Sequence, residues 1–311
     1  MIDTFYTINF WLAFACGMTL NIVLIWLICK RSTNEMKAYS RILMQACIID
    51  IYTLVVAAIG EPVYFIYEGV PMVFLNDRAA YKSEALRFTL VQLWYFGLYI
   101  ATGSCAIQFL YRYLMLCRGM EVTTVLYAIM LGISAFLVWM INCAAYIASY
   151  PKDYELTGKK VGLYWNTNGD EVIIGAFADP RSNSWLACCT AITFYNLFCY
   201  AIIVFCGLRI RNESRTFIYF ICAGIFAINL SSVNIVFLVA TVQQATLYAI
   251  VYILPPLIWY PVMSPLITIF AIKPFRRFFI SLKRNRLKII LLMFAQQGLD
   301  LSAILLKSSK K

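Results

Sequence analysis

Seven stretches of mainly apolar residues, each about 20 residues or longer, follow one another at 5–29, 42–67, 86–117, 124–149, 185–208, 216–241 and 246–272. That length and character is what an α-helix needs to cross the roughly 30 Å of hydrocarbon in a bilayer. A transmembrane barrel would show alternating segments of about ten residues instead, and in lipid the backbone must bond to itself, so helices are the expected spanning elements. The expected fold is therefore all-α, a seven-transmembrane helix bundle with no soluble domain between the spans. Composition excludes the soluble alternative: 62% of the 311 residues are hydrophobic and 13% charged, against about 45–50% and about 25% in ordinary soluble domains. The first apolar run is too long for a signal peptide and Met1 to Thr4 carry no positive charge, so it reads as an uncleaved first span.

Lys and Arg outnumber the acids 26 to 15, a net charge of +11. Assigned to the connections between spans, 19 of these cations fall on one side and 7 on the other. The positive-inside rule then puts the N-terminus outside and the tail in the cytoplasm. The excess charge is thus a topology signal, and no nucleic-acid partner is expected. Two parts follow: a helical membrane domain, 1–273, and a cytoplasmic tail, 274–311. In that tail Phe275, Phe278, Phe279 and Leu282 share a face beside Arg276, Arg277, Lys283 and Arg284. This is the pattern of a short amphipathic helix lying on the inner leaflet of the bilayer. The longest outer connection, 150–184, is polar and carries several Gly and Pro, and reads as a turn-rich cap able to cover a pocket mouth.

His is absent from the whole chain, which removes His-dependent triads, His-ligated metals and imidazole bases. The 11 cysteines lie almost entirely in apolar runs and form neither a metal-site spacing nor a disulfide framework. No enzyme, cofactor or metal is expected.

Ionisable groups inside a membrane are expensive, so each is a functional candidate. Asp50 lies nine residues beyond Arg41, roughly 13 Å into the membrane, and Asn21 on the first span sits at a similar depth from Lys30. An Asn21–Asp50 hydrogen-bonded pair is geometrically open, either as a structural switch or as a plain polar contact. Glu61, about 30 Å beyond Arg41, reaches the outer interface beside Pro62, where it meets a ligand or a loop cation, or simply snorkels to water. Arg87 and Arg112 bracket the third span. Arg112, between Tyr111 and Tyr113 at the inner mouth, suits a switch or a partner contact as well as a topological anchor. Pro255, Pro256, Pro261 and Pro265 loosen the backbone of the seventh span, although prolines are also common in membrane helices generally. Trp94, Tyr95, Tyr99, Trp185, Phe194, Tyr195, Tyr248 and Tyr252 fall in outer halves of spans, where a ligand pocket and an aromatic interface belt explain them equally well.

Several local motifs carry a resemblance. Asn21-Ile22-Val23-Leu24-Ile25, followed by Lys30-Arg31-Ser32 and by Met36 through Leu43 to Asp50, resembles the opening of nematode serpentine chemoreceptors. Phe109-Leu110-Tyr111-Arg112-Tyr113 resembles their third-span signature. Ser264 through Phe270 with Lys273-Pro274-Phe275-Arg276 resembles their seventh-span ending, and the set is most similar to the class delta group of the str superfamily. The resemblance implies a G-protein-coupled receptor in the plasma membrane of sensory neuron cilia, binding an environmental small molecule or peptide outside and a heterotrimeric G protein inside. From their position near the outer face, Glu61, Trp94, Tyr95, Tyr99, Tyr195, Tyr248 and Tyr252 are the candidate ligand-binding residues. Asn21, Asp50, Tyr111, Arg112, Tyr113, Pro261, Ser264 and Pro265 would form the activation switch. Arg112, Arg118, Arg209, Arg211 and Arg215 would contact the G protein. The chain departs from rhodopsin-like receptors in having Tyr111 in place of the acid beside Arg112, Thr268 in place of a seventh-span Tyr, and no Cys in either outer connection for the usual disulfide. A secondary transporter or channel is the alternative, because Asp50 and a proline-broken span also suit ion coupling.

Overall fold

A computed structural model of the chain describes residues 2–31, 37–67, 70–75, 84–148, 174–177, 183–214, 258–266 and 268–269. Its elements are the helices α1 (Ile2–Arg31), α2 (Lys37–Gly60), α3 (Glu84–Cys117), α4 (Thr124–Ala148) and α5 (Asn183–Ser214), and the strands β1 (Pro62–Tyr67), β2 (Val70–Leu75) and β3 (Ile174–Phe177). Each of the five helices is long and apolar enough to cross a membrane. Residues 258–266 form a further helical segment within the expected seventh span. The expected sixth span and the tail helix lie outside the described residues.

The helices are apolar on nearly every face because lipid replaces water around them. Phe5, Trp11, Ile22 and Trp26 on α1, and Ile129, Phe136, Trp139 and Ile147 on α4, point away from the bundle. Burial ranks the helices: 72% of the apolar stretch of α3 is buried against 11% of that of α4, so α3 is the axis and α4 a peripheral helix. Only Ser134, Val138, Asn142 and Ala145 turn the inner face of α4 to its neighbours, a spacing of three to four residues that keeps them on one stripe.

Two connections are shaped by named residues. Between α3 and α4, Gly119 takes a φ of 62° with open space around it, a left-handed conformation that favours glycine. Thr123 then caps α4, its hydroxyl accepting from the Leu126 N–H at 3.3 Å as an N-cap side chain does. At the end of α2 the sequence reading is corrected: the helix stops at Gly60, not at residue 67. Glu61, at a φ of 40°, closes the last turn by donating its N–H to Ala57. Pro62 has no N–H with which to continue the ladder, and the aromatic and β-branched run behind it pairs as a strand.

Three short strands lie in the connections of this helical bundle. β1 pairs with β2 antiparallel, from Pro62 opposite Leu75 to Tyr67 opposite Val70. β2 pairs with β3 through Met72 opposite Phe177 and Val73 opposite Ala176, with an irregularity between Val73 and Phe74. β3 comes from the connection between α4 and α5, so backbone pairing ties the two connections together, a tether that needs no disulfide. The described cysteines are all free. The sheet marks one end of the bundle, and the N-terminal half of α1 reaches it, with the Tyr6 hydroxyl donating to the Pro62 carbonyl at 2.7 Å.

Candidate functional site

Deep in the bundle a polar cluster joins α1, α2 and segment 258–266. Asn21 and Asp50 are both buried, at 0% and 3% exposure. They are not paired with each other. The Asn21 amide donates to the carbonyls of Gly17 at 2.9 Å and Pro261 at 3.1 Å, while Ser264 lies beside the Asp50 carboxyl. The expected Asn21–Asp50 pair is thereby corrected, and the cause lies in the prolines. In a regular helix the carbonyl of residue 261 accepts from the N–H of residue 265, but residue 265 is Pro and has none. An unpaired carbonyl inside a membrane costs several kcal/mol, and the side chain of Asn21 supplies the missing donor from a neighbouring helix. Close packing permits it: a Cβ built on Gly17 would lie 2.9 Å from Leu54 and 3.4 Å from Val262.

Above this cluster, towards the sheet, the same helices enclose a void of about 390 Å³ counted with its open mouth. α1 contributes Tyr6, Phe10 and Phe14, α2 contributes Thr53, Leu54 and Ala57, and α3 contributes Trp94 and Leu98. Ile258 and Pro261 close it from the last segment. Pro261 is thus both a wall of the void and the residue whose carbonyl Asn21 holds. Trp259 fastens the same segment to α1 by donating its indole N–H to the Asn9 side chain at 3.1 Å.

At the end opposite the sheet, three consecutive residues of α3 point three ways, as the 100° step of a helix requires. Tyr111 packs edge-on against Tyr127 at 5.9 Å, beside Ile42 and Val122. Tyr113 meets Phe205 of α5 at 5.6 Å. Arg112 does not lie between these two rings, as its position in sequence suggested, but over Phe109 at 5.7 Å. Arg118 donates to the Tyr113 hydroxyl at 3.1 Å and also lies over that ring, while Arg209 lies over Phe205. The result is an exposed ladder, Arg118–Tyr113–Phe205–Arg209, joining the ends of α3 and α5. Arg209 and Arg211 lie within α5, which runs on to Ser214 instead of ending near residue 208.

A third polar group binds α2, α3 and α4 together. Gln45 donates to the Ser104 hydroxyl at 3.1 Å and accepts from the Tyr127 hydroxyl at 2.6 Å, and Gln108 donates to Ser104 at 3.3 Å. Nearer that end, Arg41 donates to the Thr124 hydroxyl at 2.7 Å.

The chain matches the family model for serpentine type 7TM GPCR chemoreceptors, Str, over residues 7–223. It belongs to that family. No curated protein matches it. The Str family is a receptor family and not an enzyme family, in keeping with a multi-pass membrane chain that spans the bilayer with apolar helices.

In this Str receptor the residues expected to bind ligand divide between two faces of α3. Trp94 lines the void. Tyr95 and Tyr99 stack at 6.3 Å on the other side, where the Tyr195 hydroxyl bonds Ser134 at 3.1 Å and the Tyr99 carbonyl at 3.3 Å. There α3, α4 and α5 are packed so closely that a Cβ on Gly103 would overlap both Ser134 and Tyr195. Trp185 is buried in α5, Phe194 faces outward and Arg87 is buried in α3 near the sheet. Glu61 is half-buried where α2 ends. Tyr248, Tyr252, Arg215 and the Arg211 side chain lie outside the described residues.

Sequence reasoning missed Tyr6, Phe10, Phe14 and Ala57 as void-lining residues, and the Gln45–Ser104–Tyr127 clasp. The clasp left a signal, because Gln45, Ser104 and Gln108 are polar residues within apolar runs. The void left none, because lipid-facing and void-facing aromatics of α1 look alike in sequence.

Proposed function

We propose that the chain is a G-protein-coupled chemosensory receptor with seven spans and its N-terminus and sheet outside the cell. In this reading it belongs to the class delta group of nematode str receptors and sits in the plasma membrane of sensory neuron cilia. It binds an environmental small molecule or peptide at the sheet end and signals to a heterotrimeric G protein at the opposite end. The observation that carries the reading is the double role of Pro261, which walls the void and is held by Asn21 beside the Asp50–Ser264 contact. Ligand contacts in the void act on a helix segment whose ladder is already broken, and a difference in affinity between two bundle arrangements becomes the signal. Asn21, Asp50, Pro261, Ser264 and Pro265 form the switch, with Tyr111, Arg112 and Tyr113 at its far end. Arg112, Arg118, Arg209, Arg211 and Arg215 present the basic surface to the G protein.

The test is a ligand panel in cells expressing the chain with several Gα subunits, read as calcium or cAMP, beside surface expression and Arg112→Ala. A ligand-dependent response that requires Gα and is lost in Arg112→Ala at normal surface level supports the proposal. Uptake or current in reconstituted liposomes, with no dependence on Gα, assigns the chain to transport instead. Such an outcome would fit the buried Asp50 beside a proline-broken segment.

A further inference from the structure

On α5 the residues Phe194, Phe198, Phe205 and Arg209 share one face, because steps of four, seven and four residues each return close to the same angle. The three phenylalanines are exposed, at 69%, 66% and 51%, so this face looks out of the bundle into lipid. Arg209, also exposed, ends it. From Phe198 to Arg209 the helix rises about 16 Å, close to one half of a hydrocarbon core of roughly 30 Å. The apolar part of the face is therefore as long as one leaflet, and the guanidinium stands at the depth of that leaflet's phosphates. Beside it α3 ends in a second exposed cation, Arg118, joined to the same ladder through Tyr113 and Phe205.

Both guanidiniums lie over rings, Arg209 at 5.7 Å from Phe205 and Arg118 at 6.0 Å from Tyr113, so each charge is held against apolar surface. Among the described residues no acid pairs with either of them. A planar guanidinium matches a phosphate with two parallel hydrogen bonds, and each basic residue near a membrane surface favours anionic lipid by about fivefold in affinity. We infer that the α3–α5 ladder is a docking site for an anionic phospholipid, with its phosphate held by Arg118 and Arg209 and an acyl chain laid along Phe205 and Phe198. A soluble phosphate uses the two guanidiniums alone. A lipid also covers the exposed rings that continue from them into the leaflet, and those rings decide for lipid. The bound molecule bridges the ends of α3 and α5. The inference goes beyond the receptor reading and needs neither ligand nor G protein. Only one consequence rests on that reading: the lipid occupies two of the arginines assigned there to the G protein.

The experiment uses the full chain in nanodiscs of phosphatidylcholine with a rising fraction of phosphatidylglycerol, and counts by native mass spectrometry the anionic lipid that stays on the chain after release from the disc. The unaltered chain should retain phosphatidylglycerol saturably and in preference to phosphatidylcholine. Arg118→Gln and Arg209→Gln should each weaken retention about fivefold, and the two together by more than about tenfold. Arg209→Lys keeps the charge and loses the planar fork, so it should recover only part of the loss. Phe198→Ala leaves both charges in place and should still weaken retention, because it shortens the seat of the acyl chain. All these side chains are exposed or at a helix end, and unchanged unfolding midpoints in pure phosphatidylcholine establish that the variants are folded. Arg41→Gln removes a cation from the same end of the bundle outside the ladder and should leave retention near that of the unaltered chain. Undiminished retention by the doubly substituted chain, or a loss on Arg41→Gln as large as on Arg209→Gln, would overturn the inference. So would displacement of the lipid by an equal concentration of inorganic phosphate, which would make the site one for a free anion. Because no Gα enters the assay, these outcomes leave the receptor reading untouched, and silence in the Gα assay leaves this site untouched.

Discussion

Replacing Asn21 by Leu keeps the branched shape and heavy-atom count of the side chain and removes the donor that reaches the Pro261 carbonyl. The magnitude can be worked from the contacts. A hydrogen bond between membrane helices contributes about 0.6 kcal/mol on average and about 1.7 at most. A buried carbonyl left without a donor adds about 1–3 kcal/mol. Some of this is offset, because the Asn21 Oδ1 atom is itself buried without a partner and leaves with the side chain. The net loss of stability should be about 1–2 kcal/mol. Pro265→Ala restores an N–H four residues beyond Pro261, where a regular helix donates to that carbonyl. In the Pro265→Ala background, Asn21→Leu should therefore cost less than about 0.5 kcal/mol. Unfolding of the four proteins in nanodiscs measures the cycle, and the expected coupling is about 1 kcal/mol, well above the few tenths found for independent sites. Two substitutions that simply add would refute the assignment of Asn21 as the substitute donor.

Three further outcomes are expected. Gly103→Ala should destabilise the bundle by about 2–3 kcal/mol through overlap with Ser134 and Tyr195, lowering the amount of mature chain at the cell surface. Gly132→Ala is the matched control, because no atom lies within 4 Å of a Cβ there, and it should be neutral or stabilising by up to about 1 kcal/mol. Gln45→Leu removes the interhelical bonds to Ser104 and Tyr127 and should cost about 1–2 kcal/mol in the same unfolding assay, whereas an unchanged midpoint would show that the clasp adds nothing. The sequence Asn212-Glu213-Ser214 is an N-glycosylation acceptor only if it is exposed outside the cell. Glycosidase treatment should leave gel mobility unchanged, and a shift there would reverse the proposed orientation.

Helix positions were legible in the sequence because a span announces itself through length and apolarity alone. α3 at Glu84–Cys117 and α4 at Thr124–Ala148 begin or end within two residues of the apolar runs that predict them. Connections were less legible. Pro62 to Tyr67 is as apolar as the helix before it, so hydropathy extends the span, and only Gly60, a left-handed Glu61 and Pro62 mark the break. Site residues were legible as kinds and not as pairs. Asn21 and Asp50 stand out as polar groups in lipid, yet their partners depend on which backbone groups the prolines free in a segment some 240 residues away. The split of Trp94 from Tyr95 follows from the 100° helical step. Which face meets the void is decided only when α1 and segment 258–266 have packed.

The register of α3 limits how the two ends of the bundle can communicate. Trp94 and Arg112 are eighteen residues apart, five helical turns, so they share one face at a separation of about 27 Å. Cys105 lies on that face between them, within electrostatic reach of both Asp50 and Arg112. One stripe of α3 therefore borders the void, the buried acid and the arginine in turn. The opposite stripe, through Tyr99 and Gly103, is pressed against Ser134 and Tyr195 with no room for even a methyl group, so α3 cannot move towards α4 and α5. A guest that widens the void must then displace what lies across from Trp94. There the weakest backbone belongs to segment 258–266, with a carbonyl at Pro261 held by a side chain and Ser264 beside Asp50. In the proposed receptor, movement of that segment would change the surroundings of Asp50 directly, while α3 stays in place as the fixed post.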